Sequence, residues 1–387
     1  MMTRKQGMPV STLARWFKKR LLFPSRYGSV FRQRGALFES LEERLVLSAA
    51  FDVTGLTALR NDPVYSSIDG SGVGIAILDS GVYAQNPDLK SNVVAYYNAV
   101  EGAVPASIDA SSVSSATDQE GHGTHVSGIA ASSNPDIGVA YKAHLIDVKV
   151  IPDSGESQIG GDPLLRGLQF VGQFADQFNI KVVNMSLGEA DQSGGLNLNT
   201  VPNADDISRE IQDLESLGIT VVSAAGNSYA NDPVPGESYP AVVSTISVAS
   251  TWADSGSGYD FNVVAWGSNY DSYAAFEQSA AADRFSATSQ RSTLSNQVAA
   301  PGVDIYSTWN DSSSGSGGGN LLYNTLSGTS MASPFVAGVV ALMQDAAYTF
   351  GGQYLTDTTQ IRQIIQQTAD VIVDSNVSDN GRVPLVN

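Results

Sequence analysis

The stretch Val73-Gly-Ile-Ala-Ile-Leu-Asp79 is a nearly continuous apolar run that ends on an acid. A parallel strand that is covered on both faces has this composition, because neither of its faces meets water. Residues 144–150, 180–186 and 219–224 have the same character. The four segments predict buried strands of one parallel sheet.

Helical patterns lie between these strands. One helix is predicted to start at Asp162-Pro163, where an N-cap residue is followed by a proline in the first turn. Its apolar stripe consists of Leu164, Leu165, Leu168, Val171 and Phe178. A second helix is predicted from Asp205, with Gly218 as its stop signal. Its apolar positions are Ile207, Ile211 and Leu214.

Repeated strand, helix, strand units require crossover connections and helices on both faces of the sheet. The predicted fold class is therefore α/β, a doubly wound and mostly parallel sheet. Ligands of such sheets collect at the carboxyl ends of the strands, which is where Asp79 lies.

Composition limits the function. The chain has 387 residues, of which 42% are apolar and 16% charged, so a sizeable core is possible. The absence of cysteine excludes disulfides and thiol catalysis. No run of 18 apolar residues exists, so we expect no membrane span.

Charge is distributed unevenly along the chain. Residues 1–50 carry 10 basic and 3 acidic side chains, whereas residues 51–387 carry 11 and 36. An acidic body repels nucleic acid and anionic membranes, which favours a protein that works outside the cell without nucleic-acid partners. The alternative is that the acidic surface only keeps the protein soluble.

Residues 1–50 are predicted to be a basic export leader that is disordered or removed. The box Leu41-Glu-Glu-Arg-Leu-Val-Leu-Ser-Ala49 resembles a short leader motif of large exported bacterial proteins. A disordered basic tail is the alternative. Residues 51–387 are predicted to form the catalytic domain, with surface insertions near 189–202 and 252–281 and a Ser/Gly linker at 311–320.

Three segments carry residues suited to nucleophilic catalysis. Asp79 ends the first strand, Gly121-His-Gly-Thr-His-Val-Ser-Gly128 holds two histidines, and Ser330 precedes an apolar helix that we expect to have Pro334 in its first turn. A serine hydroxyl needs a base with a pKa near 7, and that base needs a carboxylate to orient it. His144 lies in a strand pattern and is interpreted as structural, which leaves His122 and His125.

Chain order separates the classes of serine hydrolase. No histidine follows Ser330, which excludes the α/β-hydrolase order. The chymotrypsin order places histidine before aspartate, whereas Asp79 precedes both candidate bases. The order Asp-His-Ser is that of subtilisin.

The motifs Asp79-Ser-Gly-Val, His122-Gly-Thr-His-Val-Ser-Gly and Gly328-Thr-Ser-Met-Ala-Ser-Pro resemble the three signatures of the subtilisin-like serine proteases, the subtilase family or peptidase S8 type. The resemblance implies that Asp79, His122 and Ser330 form a triad. It also implies that His125 is a structural neighbour and that Asn227 donates to the oxyanion.

The same resemblance implies how a peptide substrate is held. The segments Ser186, Leu187, Gly188 and Ala224, Ala225, Gly226 would wall the first pocket, and residues 154–157 would supply a second edge. Protein or peptide substrates would bind as an added extended strand. Because the walls carry no charge, we expect an apolar side chain in that pocket.

Further expectations concern cofactors and local geometry. We expect no required cofactor, since the connection 128–138 is shorter than the calcium loop of subtilisin, although Asn134 and Asp136 could still ligate calcium. The resemblance at Thr54 to the start of a catalytic domain implies folding without a prosegment. By resemblance, the Tyr239-Pro240 bond is predicted to be cis.

The function predicted from the sequence is that of a secreted, monomeric serine endopeptidase, located outside the cell or at its surface. One alternative is a catalytically silent surface or adhesion module with the same fold. Another is an amidase or peptide ligase on the same triad. A zinc site of His122, His125 and either Glu120 or Asp79 conflicts with the spacing of helical zinc proteases.

Overall fold

The structure is a computed structural model. It describes residues 49–153, 162–188, 198, 200, 205–229, 234–253, 284–286, 288–310, 322–373 and 382–385. Residues 1–48 of the predicted leader, the Ser/Gly linker at 311–320 and the edge at 154–157 lie outside the described residues. So do most residues of the predicted insertions at 189–202 and 252–281.

Eleven strands occur in the described residues. They are β1 (Gly74–Asp79), β2 (Val93–Asn98), β3 (His144–Lys149), β4 (Ile180–Met185), β5 (Thr220–Ala224), β6 (Ile246–Thr251), β7 (Gln297–Pro301), β8 (Ile305–Thr308), β9 (Tyr323–Leu326), β10 (Asp370–Val373) and β11 (Arg382–Leu385). One sheet has the order β10-β11-β7-β6-β5-β4-β1-β3-β2, and β8 and β9 pair separately.

All pairs from β2 to β11 across the large sheet are parallel, and only β10 joins it antiparallel. The four strands predicted from apolar runs lie within one residue of the expected starts. The prediction of a doubly wound, mostly parallel α/β sheet is confirmed. The two carboxyl-terminal strands were not predicted.

Helices cover both faces of this sheet. They are α1 (Leu56–Asn61), α2 (His122–Ala131), α3 (Asp162–Phe174), α4 (Asp206–Ser216), α5 (Thr329–Gly351) and α6 (Thr358–Thr368). Short 3₁₀ helices lie at Ala110–Ser115 and Ala241–Val243. Asp205 caps α4 by accepting from the Ser208 amide at 2.7 Å, as its side-chain type favours.

Strand β1 separates two apolar cores. Ile75 and Ile77 face a cluster that includes Phe335 of α5, whereas Ala76 and Leu78 face a cluster that includes Leu168 of α3. Successive side chains of a strand point to opposite faces, so one central strand supplies both cores. Burial on both sides explains why its sequence is apolar throughout.

Two details of the helix predictions were wrong. Helix α3 ends at Phe174, so Phe178 lies beyond the stripe that we assigned to it. Helix α5 begins at Thr329, which places Pro334 inside the helix rather than in its first turn. The stop at Gly218 is confirmed, with a φ of 79° that favours glycine.

The segment before β6 contains the Tyr239-Pro240 peptide bond, which is cis as predicted. The 3₁₀ helix Ala241–Val243 follows it, so the strand does not resume directly after the proline. The Glu237 backbone pairs with Leu198 in an isolated antiparallel bridge.

Candidate active site

The carboxyl ends of neighbouring parallel strands bring the predicted site residues to one edge of the sheet. Asp79 is the last residue of β1, segment 186–188 follows β4, and segment 224–227 starts at the last residue of β5. The order β5-β4-β1 places these three ends side by side. His122 lies in the first turn of α2, and Ser330 lies in the first turn of α5. Both helices pack on the face of the sheet to which Ile75 and Ile77 point.

Asp79 and His122 form the best-defined contact of the site. The distance from His122 Nδ1 to Asp79 Oδ1 is 2.7 Å, and the Asp79 side chain is 1% exposed. The Ser80 amide donates to the same carboxylate oxygen at 2.8 Å. A carboxylate on Nδ1 fixes the tautomer that leaves Nε2 free to accept a proton.

This contact changes the acidity of the imidazole. Burial alone would lower the pKa of His122, but the charge of Asp79 and the hydrogen bond to it raise that pKa to about 9. Glu120 and Asp118 act in the same direction by charge. His122 is therefore a stronger base than an isolated histidine.

Ser330 is held by the segment that follows β4. Its hydroxyl donates to the carbonyl of Ser186 at 3.3 Å. No hydrogen bond joins it to His122 in the described part of the chain. Serine and base are often loosely aligned without substrate, so this geometry is compatible with nucleophilic chemistry.

Asn227 lies beside the start of α5. Its Oδ1 accepts from the Thr329 amide at 2.9 Å and from the Thr329 hydroxyl at 3.1 Å. Because a backbone amide can only donate, this contact assigns the orientation of the side-chain amide. The Nδ2 group is then left without a partner among the described residues and is able to donate to a ligand.

His125 has a different environment from His122. It is fully buried, and its Nε2 contacts the Asn324 carbonyl at 3.0 Å. Burial chiefly lowers its pKa, to about 3, so the ring is neutral at working pH. The rings of His122 and His125 therefore contact different groups. His144 is the exposed first residue of β3.

The two predicted pocket walls face each other across Ser238. A Cβ on Gly188 would lie 2.6 Å from the Ser238 Oγ, and a Cβ on Gly226 would lie 3.1 Å from it. The Ser238 hydroxyl donates to the Ala225 carbonyl at 3.1 Å. The remaining wall residues Ser186, Leu187 and Ala224 are buried. Ser238 was missed in the sequence because no motif marks it.

The candidate calcium ligands Asn134 and Asp136 lie in one turn. Asn134 Oδ1 accepts from the Asp136 amide at 3.1 Å, so the two residues close a turn. Within the described ranges, no three His, Asp or Glu side chains are grouped to hold a metal ion.

No helix in the described part of the chain is long and apolar enough to cross a bilayer.

Comparison with known proteins agrees with this geometry. The model of the subtilase family matches residues 70–383. This chain belongs to the subtilase family. Its sequence is 35% identical over 280 residues to Subtilisin-like protease 3 of Pseudogymnoascus destructans, covering 72% of this chain and 53% of that protein. It is 33% identical over 295 residues to a subtilisin of a Bacillus species, covering 74% and 60%.

Among solved structures, a cold-adapted subtilisin-like serine proteinase matches with a TM-score of 0.54 and 26% identity, covering 83% of this chain and 90% of that one. The first relative is named a protease and the solved structure a serine proteinase. This subtilase chain spans only between half and two thirds of the length of the two curated relatives.

Proposed function

We propose that this subtilase is a serine endopeptidase that hydrolyses peptide bonds through an acyl-enzyme on Ser330. The observation that supports this most is the 2.7 Å contact between His122 Nδ1 and the buried Asp79 carboxylate. This contact lies at the same edge of the sheet as the first turn of α5, which contains Ser330. A silent module would have no need for a buried carboxylate that orients an imidazole.

The proposed proton transfers use three side chains. His122 Nε2 takes the proton of the Ser330 hydroxyl as the oxygen attacks the scissile carbonyl, and Asp79 stabilises the imidazolium that forms. His122 then protonates the leaving amine, and the C–N bond breaks. Water attacks the acyl-enzyme by the same route in reverse. No cofactor takes part in this scheme.

Negative charge develops on the carbonyl oxygen during both steps. In this proposal the Nδ2 of Asn227, whose Oδ1 accepts from Thr329, and the Ser330 backbone N–H in the first turn of α5 donate to it. The positive end of the helix dipole adds to the same stabilisation. The peptide would lie as an added strand along segments 186–188 and 224–226.

The decisive experiment measures cleavage of casein and of a fluorogenic peptide library, with and without a serine-directed fluorophosphonate. We expect hydrolysis that the inhibitor abolishes, with the adduct located on Ser330 by mass spectrometry. Absence of cleavage would favour the silent module, and transfer to added amines in excess of hydrolysis would favour a ligase. The library also tests the expected apolar preference of the first pocket.

We further propose that the protein is exported and acts as a monomer on protein or peptide substrates. The +7 charge of residues 1–50 against −25 in the remainder supports removal of that segment. Intact mass of the secreted protein and light scattering would test both points. Secreted material that still begins at Met1 or Met2 would contradict the export proposal.

A further inference from the structure

Asp118 is a buried aspartate, 5% exposed, that lies four residues before His122. Each of its carboxylate oxygens accepts two hydrogen bonds. Oδ1 accepts from the Ser80 hydroxyl at 3.0 Å and from the Gly121 amide at 2.8 Å. Oδ2 accepts from the Thr124 amide at 2.9 Å and from the Thr124 hydroxyl at 2.6 Å. Asp118 thus binds residues on both sides of His122, namely Gly121 and Thr124.

Ser80 connects Asp118 to Asp79, the residue that contacts His122. It follows Asp79, and its amide donates to the Asp79 carboxylate at 2.8 Å. Its hydroxyl donates to Asp118 and accepts from the Gly123 amide at 2.9 Å. The end of β1 and the start of α2 are therefore joined through Ser80 and Asp118.

We propose that Asp118 is a positioning residue, which fixes the distance and angle between Asp79 and His122 through Ser80 and the first turn of α2. The inference rests on the proposed function of that pair. Among the described residues, the Asp118 carboxylate has no hydrogen bond to Ser330 or to the predicted pocket walls 186–188 and 224–226. It acts by holding the two backbone segments from which the reacting side chains project.

The hydrogen-bond pattern favours the ionised form of Asp118, because each carboxylate oxygen accepts from one backbone amide, which can only donate. The Ser80 and Thr124 hydroxyls complete the set of four hydrogen bonds. Burial raises the pKa of Asp118, and the hydrogen bonds from Thr124 and Gly121 oppose that effect. Its charge therefore also acts on the imidazole. The ionisable groups around it are Asp79, Glu120, His122, Asp147 and Lys149.

A purely structural role and a positioning role make different predictions. If Asp118 only caps α2, its loss reduces the amount of folded enzyme but not the turnover of each intact site. If it positions the pair, turnover per site falls. Loss of its charge in addition lowers the pKa of His122, since Asp118 stabilises the protonated ring.

The test compares Asp118→Asn, Ser80→Ala and the control Asp109→Asn in the full chain. Asp109 is an exposed aspartate that accepts from the nearby Ser111 amide, without contact to Ser80 or α2. Fluorophosphonate titration counts intact sites, so that kcat refers to active enzyme. Profiles of kcat/KM against pH locate the acid limb, which is the pH range over which activity rises as His122 loses its proton.

For Asp118→Asn we expect kcat to fall about 10- to 100-fold with little change in KM, because small displacements of reacting groups cost rates of this order. Its acid limb moves to lower pH. For Ser80→Ala we expect a smaller fall and an unmoved limb, because the charge remains. Asp109→Asn behaves as the parent. A kcat per titrated site within twofold of the parent in Asp118→Asn would overturn the proposal, as would an unmoved limb.

The positioning role has a readout that does not depend on proteolysis. The proton between His122 Nδ1 and Asp79 gives a strongly deshielded signal in proton NMR spectra. We expect this signal to shift or broaden in Asp118→Asn and to stay unchanged in Asp109→Asn. An unchanged signal in folded Asp118→Asn contradicts the inference even if the parent proves inactive, an outcome that would separately refute the proposed function.

Discussion

The carbonyl oxygen of Ser330 accepts a hydrogen bond from the side chain of Ser186 at 2.8 Å. In a regular helix this carbonyl would pair with the amide four residues later, but that residue is Pro334, which has no N–H. The Ser186 hydroxyl takes the place of the missing donor. It is anchored in turn by Asn184 Nδ2 and by the Ser333 hydroxyl, each at 2.9 Å.

We predict that Ser186→Ala destabilises the fold, because it leaves the Ser330 carbonyl without a donor. Loss of a partner for a buried polar group costs roughly 1–3 kcal/mol. The free energy of unfolding in guanidinium measures the effect. Ser127→Ala is the matched control, since the buried Ser127 hydroxyl has no hydrogen-bond partner among the described residues. Equal losses in the two variants would show that the contact contributes nothing specific.

We predict that Ser330→Ala abolishes peptide hydrolysis while the fold survives. The expected loss in kcat is about 10⁶-fold, the size found for the nucleophile of subtilisin. Active-site titration and circular dichroism separate lost chemistry from lost structure. Activity within tenfold of the parent would show that another residue is the nucleophile.

The fold could be predicted because its strands are apolar throughout. In β1, burial of both faces makes every position apolar up to Asp79. Strands β10 and β11 escaped prediction because Asp370–Val373 and Arg382–Leu385 have only four residues each, too few to show a clear pattern. The start of α5 was misplaced because proline usually marks a first turn, whereas Ser186 here replaces the lost donor.

The site was predictable only where chemistry restricts the residue type. Asp79 and His122 were named from their motifs, and they are in contact. Ser80 and Asp118 were not named, because serines and aspartates near loops usually have local structural roles. Their importance depends on a contact between residues 38 positions apart, which no local pattern contains.

We predict that kcat/KM rises with pH until about pH 9. His122 must be neutral to act as the base. Burial lowers the pKa of His122, but the charge of Asp79 opposes this effect and the pKa is raised to about 9. Activity is therefore low where His122 is protonated and reaches its plateau above that pKa. The charge pair also stabilises the folded state below pH 6.5, and this contribution is lost as the pH rises through about 9.

The matched test of this pH dependence is Glu120→Gln. Glu120 helps to raise the pKa of His122, so its neutralisation moves the acid limb to lower pH. Glu101→Gln removes an exposed acid that has no such effect on His122 and leaves the limb in place. An acid limb near pH 6.5 in the parent would contradict the raised pKa.

We predict that Gly121→Ala impairs both stability and turnover. Gly121 has a φ of 93°, and an added Cβ would lie 2.5 Å from the Trp309 ring. Backbone strain of this kind costs roughly 1–3 kcal/mol before the ring is displaced. Because His122 is the next residue, kcat falls as well. Gly102→Ala is the control, since a Cβ there meets nothing within 4 Å. Thermal unfolding tests the effect on stability and kcat tests the effect on turnover, each measured for both variants.

Our last prediction separates the two contacts of Asn227. Its Oδ1 accepts from Thr329, and its Nδ2 is free to donate to the oxyanion. Asn227→Ala removes both groups, whereas Asn227→Asp keeps an acceptor for Thr329 but has no donor. If the donor matters, both variants lose about 10²- to 10³-fold in kcat with KM little changed.

A structural role of Asn227 would give a different pattern. Asn227→Asp would then retain activity and the stability of the parent, because the contact to Thr329 at 2.9 Å remains. Asn227→Ala alone would be impaired, and in thermal unfolding as well as in rate. The decisive comparison is therefore kcat per fluorophosphonate-titrated site in Asn227→Asp. A value within tenfold of the parent removes Asn227 from the oxyanion site and leaves the Ser330 N–H as the donor identified there.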